Sequence, residues 1–207
     1  MGNHVGPRAS RPHRGWHARG YLPHFDDGAT VQMVTFRLGD SLPRAVFDQI
    51  VSSSKNEADR FVLVEKYIDR GRGECILSDP NVALLVRDAL TFFDGERYKL
   101  LSWVIMPNHV HALIEQMTGF PLDRVIHSWK SYTAKAINKL RAASGPVWAP
   151  DYYDRYVRND DHYRNAVFYI ENNPVKAKLV ARAEEWEFSS AAARLEICGQ
   201  DARGPTC

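Results

Sequence analysis

The stretch Trp103-Val104-Ile105-Met106-Pro107-Asn108-His109-Val110-His111-Ala112-Leu113-Ile114 constrains the fold more than any other part of the chain. It is apolar on both sides of a Pro-Asn signal, the pattern of two strands that meet at a tight antiparallel corner. Pro107 cannot donate to a ladder, so it belongs at a strand start or a bulge. Successive side chains of a strand point to opposite faces, so His109 and His111 project together while Val110 and Ala112 point into a core. Two imidazoles on one face are half of a metal site. Such a pair also arises simply as half-buried polar residues, so the rest of the chain has to supply a further ligand and the chemistry.

The chain has 207 residues, enough for one ordinary domain with tails. Hydrophobic residues make up 44% and charged residues 25%, the proportions of a soluble globular protein. Without a long apolar run or an apolar leader, neither a membrane span nor a secretory signal is expected, and the cytoplasm is the default location. Cys75, Cys198 and Cys207 lack paired spacing, which fits a reducing compartment. The net charge of +2 argues little for nucleic acid by itself. Arg8, Arg11, Arg14 and Arg19 nevertheless precede the first acid and form a basic arm.

Residues 1–28 lack periodicity and read as a basic flexible tail. The segment from Thr30 to Leu38 is rich in β-branched and aromatic residues and predicts a strand. A helix follows, capped at Ser41 with Pro43 just inside and running to Gly71 with a break near Ser52–Ser54. Asp79-Pro80 opens another helix, Tyr98–Met106 and His109–Glu115 are strands, and 122–142 is the longest amphipathic helix. On that helix Val125, Trp129, Tyr132, Ala136 and Leu140 form the apolar stripe. Trp148–Val157 is extended, and Asn159-Asp160-Asp161 caps a last helix that ends near Asn173, ahead of Pro174. Residues 191–207 read as a C-terminal tail, leaving 29–190 as the folded domain.

On the helix 161–173, Tyr163, Ala166, Val167 and Ile170 face the core, while His162, Asn165, Tyr169 and Asn173 make a polar stripe. An amide oxygen can complete a cation site begun by two imidazoles, and a phenol one turn away can attack a phosphorus held there. Tyr132 is the alternative nucleophile, but its place on an apolar stripe favours packing.

Met106-Pro107-Asn108-His109-Val110-His111, then Trp148, Tyr152-Tyr153-Asp154-Arg155 and Tyr169-Ile170-Glu171-Asn172-Asn173-Pro174-Val175-Lys176 resemble the REP-associated tyrosine transposases, relatives of the single-tyrosine HUH transposases. The resemblance covers roughly residues 28 to 190. It implies an α+β, ferredoxin-like (RRM-like) antiparallel sheet with helices packed on one face, of the HUH endonuclease type. It also implies His109, His111 and Asn173 as metal ligands, Tyr169 as nucleophile, and Mg²⁺ or Mn²⁺ as cofactor. The implied activity is cleavage and strand transfer of single-stranded DNA at palindromic, REP-like hairpins through a 5′-phosphotyrosine. Arg155, Arg158, Arg164, Lys176 and Lys178, with Trp148 and Tyr152, would form a DNA groove in which phosphates are neutralised and bases stack. Two alternatives stay open: a catalytically silent hairpin-binding regulator, and an unrelated His-x-His hydrolase that forms no adduct. The resemblance implies a nucleoid-associated protein, monomeric or homodimeric.

Overall fold

In the computed structural model, residues 15–19, 22–26 and 30–201 are described. Two short strands, β1 (Gly15–Arg19) and β2 (Leu22–Asp26), pair antiparallel, so part of the expected N-terminal tail is a hairpin; the rest of it lies outside the described residues. The main sheet begins with β3 (Val31–Arg37). Helices α1 (Arg44–Ser53), α2 (Glu57–Ile68) and α3 (Pro80–Thr91) lead to β4 (Tyr98–Ile105) and β5 (His109–Gln116). Helix α4 (Leu122–Leu140) then crosses to β6 (Tyr153–Tyr156), and α5 (Asp160–Glu171), α6 (Asn173–Lys176) and α7 (Ser190–Asp201) complete the chain. The order β4-β5-β3-β6, antiparallel throughout, is the ferredoxin-like plan.

Strand alternation divides the sheet into two chemically different faces. Val34, Phe36, Val110, Ala112 and Ile114 pack with Val82, Val86, Val125, Ile126 and Trp129, so α3 and α4 cover one face. Met33, Val104 and Leu113 face the other way and pack with Ala166 and Ile170 of α5. Helices thus lie on both faces, which corrects the expectation of one. The sequence shows α5 as amphipathic but does not tell which face it covers. Apolar residues of α1 and α2, including Phe47, Ile50, Val64 and Ile68, form a third cluster beside it.

Several boundaries follow from local chemistry. The break between α1 and α2 falls at Ser54, whose backbone is extended, and Asn56 restarts the chain by accepting from the Asp59 amide. Ser41 is not the cap expected of it, because its buried hydroxyl donates to the Leu38 carbonyl. Asp79 and Asn159 do cap α3 and α5.

On α4 the buried row is Leu122, Val125, Ile126, Trp129, Thr133 and Ile137, while Tyr132 is 58% and Leu140 51% exposed. The expected stripe is rotated because Thr133 is an interior residue. Its hydroxyl donates to the Trp129 carbonyl at 2.6 Å and accepts from Trp148 Nε1 at 2.9 Å, so a polar side chain is satisfied inside the core. The segment from Ser190 to Asp201 is helix α7 rather than tail. It is tied to the domain by Glu171, which accepts from Ser190 and pairs with Arg194.

Candidate metal and tyrosine site

The site lies where β5, α2 and the junction of α5 and α6 meet. In the ladder His111 stands opposite Thr35 and His109 opposite Arg37, so both imidazoles enter the face covered by α2 and α5. Both rings are buried. His109 Nδ1 lies 2.7 Å from Asn108 Oδ1, an acceptor, which makes Nδ1 the protonated nitrogen of His109. His111 Nδ1 lies 2.7 Å from Thr35 Oγ1. Asn108 also donates its amide to the carbonyls of Ile68 and Arg72, fastening the β4–β5 corner to the end of α2. One side chain of the Pro-Asn-His corner therefore both docks α2 and orients a histidine.

In the tautomer in which His111 Nδ1 donates to Thr35, both Nε2 atoms carry lone pairs, and they lie 3.0 Å apart. Two lone pairs at that distance repel unless a proton or cation sits between them. Two metal–imidazole bonds of about 2.1 Å at a right angle span about 3.0 Å, so the pair is spaced for one ion.

Oxygen donors surround the same point. Asp69 Oδ1 is 3.8 Å from His109 Nε2, and Glu65 Oε2 is 3.4 Å from His111 Nε2. Asp69, His109 and His111 place a potential ligand atom each within 4.8 Å of one another. Asn173 is buried, with its amide nitrogen 3.2 Å from His111 Nε2. Glu65 Oε1, Asp69 Oδ1 and Asn173 Oδ1 are all buried without a hydrogen-bond partner. Orphaned buried oxygens are costly, and the orphaned Asp69 Oδ1 with two imidazole nitrogens makes a donor set that fits a divalent cation of hard or borderline character, with the Glu65 carboxylate alongside. Turning the Asn173 amide over exchanges its two ends, so it can present its oxygen.

Electrostatics agree with neutral, ligand-ready imidazoles. Burial, with the Lys176 ammonium nearby, pushes His109 down to about 3 and holds His111 well below its ordinary value. Burial raises the Glu65 carboxyl to about 8, against the Tyr169 hydrogen bond that lowers it. A bound cation would reverse that preference.

Tyr169 is on the α5 face that turns toward α2. Its hydroxyl donates to Glu65 Oε2, and its ring meets His111 edge-on with centroids 5.5 Å apart. Burial and the Glu65 carboxylate raise the phenol's pKa. Lys176 pairs with Asp69 and stands 5.2 Å from the Tyr169 ring centroid. A cavity of about 660 Å³ opens beside the phenol, with Met33, Phe61, Ala166, Arg155, His162 and Lys176 among its walls.

His109, His111, Tyr169 and Asn173 are therefore brought together, although Asn173 starts α6 rather than ending α5. Tyr132 sits on α4, across the sheet from the histidines. Arg155 and Lys176 border the cavity beside Tyr169, whereas Arg164 is exposed and paired with Asp161. Arg158 uses its backbone amide to reach the His162 ring, and Lys178 is an exposed residue at φ 60°. Trp148 is corrected: it is 6% exposed, edge-on to Phe36 at 4.9 Å, and cannot stack on a base. Tyr152 packs on the α3–α4 core, away from the histidines. Sequence reasoning missed Glu65, Asp69, Thr35 and Asn108. The available signal was Phe61-x3-Glu65-x3-Asp69, two acids in line with an aromatic on a helix face.

Comparison with known proteins finds similarity over part of the chain and over the fold. The family described as transposase IS200 like matches residues 88–173, from the middle of α3 to the first residue of α6. A REP-associated tyrosine transposase of Escherichia coli (strain K12) is 27% identical over 107 residues, a match spanning 51% of this chain and 62% of the relative. The solved structure of a REP-associated tyrosine transposase bound to a REP hairpin superposes with a TM-score of 0.60 at 19% identity, covering 92% of this chain and 89% of the other. Among the described residues no helix is long and apolar enough to cross a membrane. Residues 88–173, which match the IS200-like transposase family, hold both histidines, the tyrosine and the asparagine, and the chain is similar in sequence and fold to REP-associated tyrosine transposases.

Proposed function

We propose that this protein cleaves and rejoins single-stranded DNA at palindromic hairpins, with Tyr169 as nucleophile and Mg²⁺ or Mn²⁺ as cofactor. The observation that carries the reading is that a phenol, two imidazoles and a buried amide from separate elements converge, with the phenol one carboxylate away from a histidine. All four belong to one chain, so no exchange of helices between copies is needed to assemble them. The relative with a similar fold is bound to a REP hairpin, which supports hairpin DNA as the partner.

In the proposed step the Tyr169 oxygen attacks a backbone phosphorus. The O–P bond to tyrosine forms, the P–O3′ bond breaks, the phenol proton passes to Glu65, and the departing O3′ takes up a proton from water. The products are a 5′-phosphotyrosine and a free 3′-hydroxyl, and attack by a second 3′-hydroxyl reverses the step without a nucleotide triphosphate. Glu65 is already the acceptor of the phenol's hydrogen bond, so proton transfer needs no movement of donor or acceptor. His109, His111 and Asn173, with Asp69, would hold the ion, whose contribution when bound is to polarise the phosphate and offset its developing charge. Lys176 and Arg155 would meet the strand beside the phenol.

The test is a labelled hairpin strand incubated with the protein and Mn²⁺, then resolved under denaturing conditions. A protein-linked band is expected with wild type and Tyr132→Phe and not with Tyr169→Phe. Binding without cleavage would support a silent hairpin-binding protein, and cleavage without an adduct would support a hydrolase.

A further inference from the structure

The sheet face that carries the histidines continues to the far side of α2, where Arg37 stands opposite His109 and Tyr153 opposite Thr35 in the ladders. There α1, the end of α2 and the segment 149–151 enclose a cavity of about 250 Å³ that Arg37, Arg44, Phe47, Asp151 and Tyr153 help to line. Of its lining residues, Thr35 is shared with the tyrosine and metal site through its contact with His111.

Two side chains at this cavity carry donors that are poorly satisfied or unsatisfied. Arg37 is partly buried, and its guanidinium makes only long hydrogen bonds to the Leu38 carbonyl, 3.3 Å, and Ser41 Oγ, 3.4 Å. Among the described ion pairs it has none. Removing such a group from water without a partner is costly, and burial lowers its pKa accordingly. The Tyr153 hydroxyl is buried without a hydrogen-bond partner, and burial pushes it up to about 12. Helix α1 begins beside the cavity with Pro43 at its cap and no acid in its first turn, so no carboxylate of its own offsets the positive end of its dipole there.

The counter-charges are few. Asp151 is the one carboxylate that lines the cavity, and it forms no described ion pair with Arg37. Arg44 is paired with Asp48. Lys130 donates to the carbonyls of Ala149 and Pro150, shaping the wall and adding positive charge behind it. A guanidinium fork and a hydroxyl offer donors in several directions beside the positive end of a helix, which suits a tetrahedral oxyanion better than a planar carboxylate.

We propose that this cavity binds a phosphate group through the Arg37 guanidinium and the Tyr153 hydroxyl. That the phosphate belongs to the backbone of bound DNA rests on the function proposed above; that the site takes a phosphate does not.

Two arms of one experiment separate these. In the first, the full-length protein with chelator present is titrated with a single-stranded oligothymidylate by fluorescence anisotropy over a salt series. Arg37→Gln should weaken binding about tenfold and reduce the slope of log K against log salt by about 0.7, the value for one single-strand phosphate. Tyr153→Phe should weaken binding several-fold with the slope unchanged, because no charge is removed. Arg37→Lys should retain the slope, which keeps the test available if the glutamine variant does not fold. In the second arm, inorganic phosphate should shift the Arg37 Nε–H resonance of the wild type saturably, and Tyr153→Phe should weaken that binding. A phosphate response without any DNA binding would leave the anion site standing with free phosphate as its source and would count against the DNA reading. Wild-type affinity and slope in both Arg37 variants, with no phosphate-dependent shift, would overturn the proposal.

Discussion

Tyr169 and Glu65 are hydrogen-bonded to each other across the gap between α5 and α2, and the same carboxylate oxygen lies 3.4 Å from His111 Nε2. A single acid therefore touches both halves of the site. Glu65→Gln should lower the pH at which Tyr169 ionises, because the carboxylate is a cause of its raised value. It should also slow DNA cleavage about a hundredfold through loss of the proton acceptor. NMR titration of ring-labelled Tyr169 and single-turnover cleavage measure the two effects. A purely structural role would leave the rate per folded molecule unchanged.

Thr35 and Asn108 act through the histidines. Thr35→Val keeps the shape of the side chain but removes the oxygen beside His111 Nδ1. Partners of this kind are worth about 10- to 100-fold in metal affinity, so Mn²⁺ binding measured calorimetrically should weaken about tenfold or more. His111→Ala should abolish it. Undiminished Mn²⁺ affinity in the valine variant would show that Thr35 does not set the tautomer.

The metal-free cluster predicts a non-monotonic stability. His109 and His111 titrate below their ordinary value when folded. The unfolded chain then binds more protons at these residues, and their share of stability rises with pH from about 3 to the unfolded histidine value near 6.5. Glu65 is raised to about 8 in the fold. The folded chain binds its proton more tightly, and that share is lost as pH rises from the unfolded carboxyl value near 4.3 through 8. Between about 6.5 and 8 only the falling contribution remains. Urea midpoints with chelator present should decline over that range, and Glu65→Gln should remove the decline.

How much of this was legible from the residues depends on whether side chains declare their neighbours. The β5 strand did: the alternation around His109 and His111 states which residues enter the α3–α4 core and which share the other face. Tyr169 was legible because its own helix has a clear apolar stripe at Ala166 and Ile170. Glu65 and Asp69 were not, because acids four apart on a helix look solvated until another surface covers them. Thr133 misled for the reverse reason, a polar residue satisfied inside the core. The covering of the second sheet face depends on long-range docking of α2 and α5 that no local pattern encodes.

Trp148 separates packing from recognition. Because it is edge-on to Phe36 and donates to Thr133, Trp148→Ala should cost about 3–5 kcal/mol of stability. Urea denaturation measures that loss. Hairpin DNA affinity per folded molecule should stay unchanged, whereas a stacking role would reduce it.

The most direct measurement of the central claim is mass spectrometry of peptides from protein incubated with a hairpin DNA strand and Mn²⁺, then digested by nuclease and protease. The account predicts a nucleotide phosphate on Tyr169, absent when the metal is chelated. A nucleotide on Tyr132, or strand cleavage with every tyrosine unmodified, would contradict it.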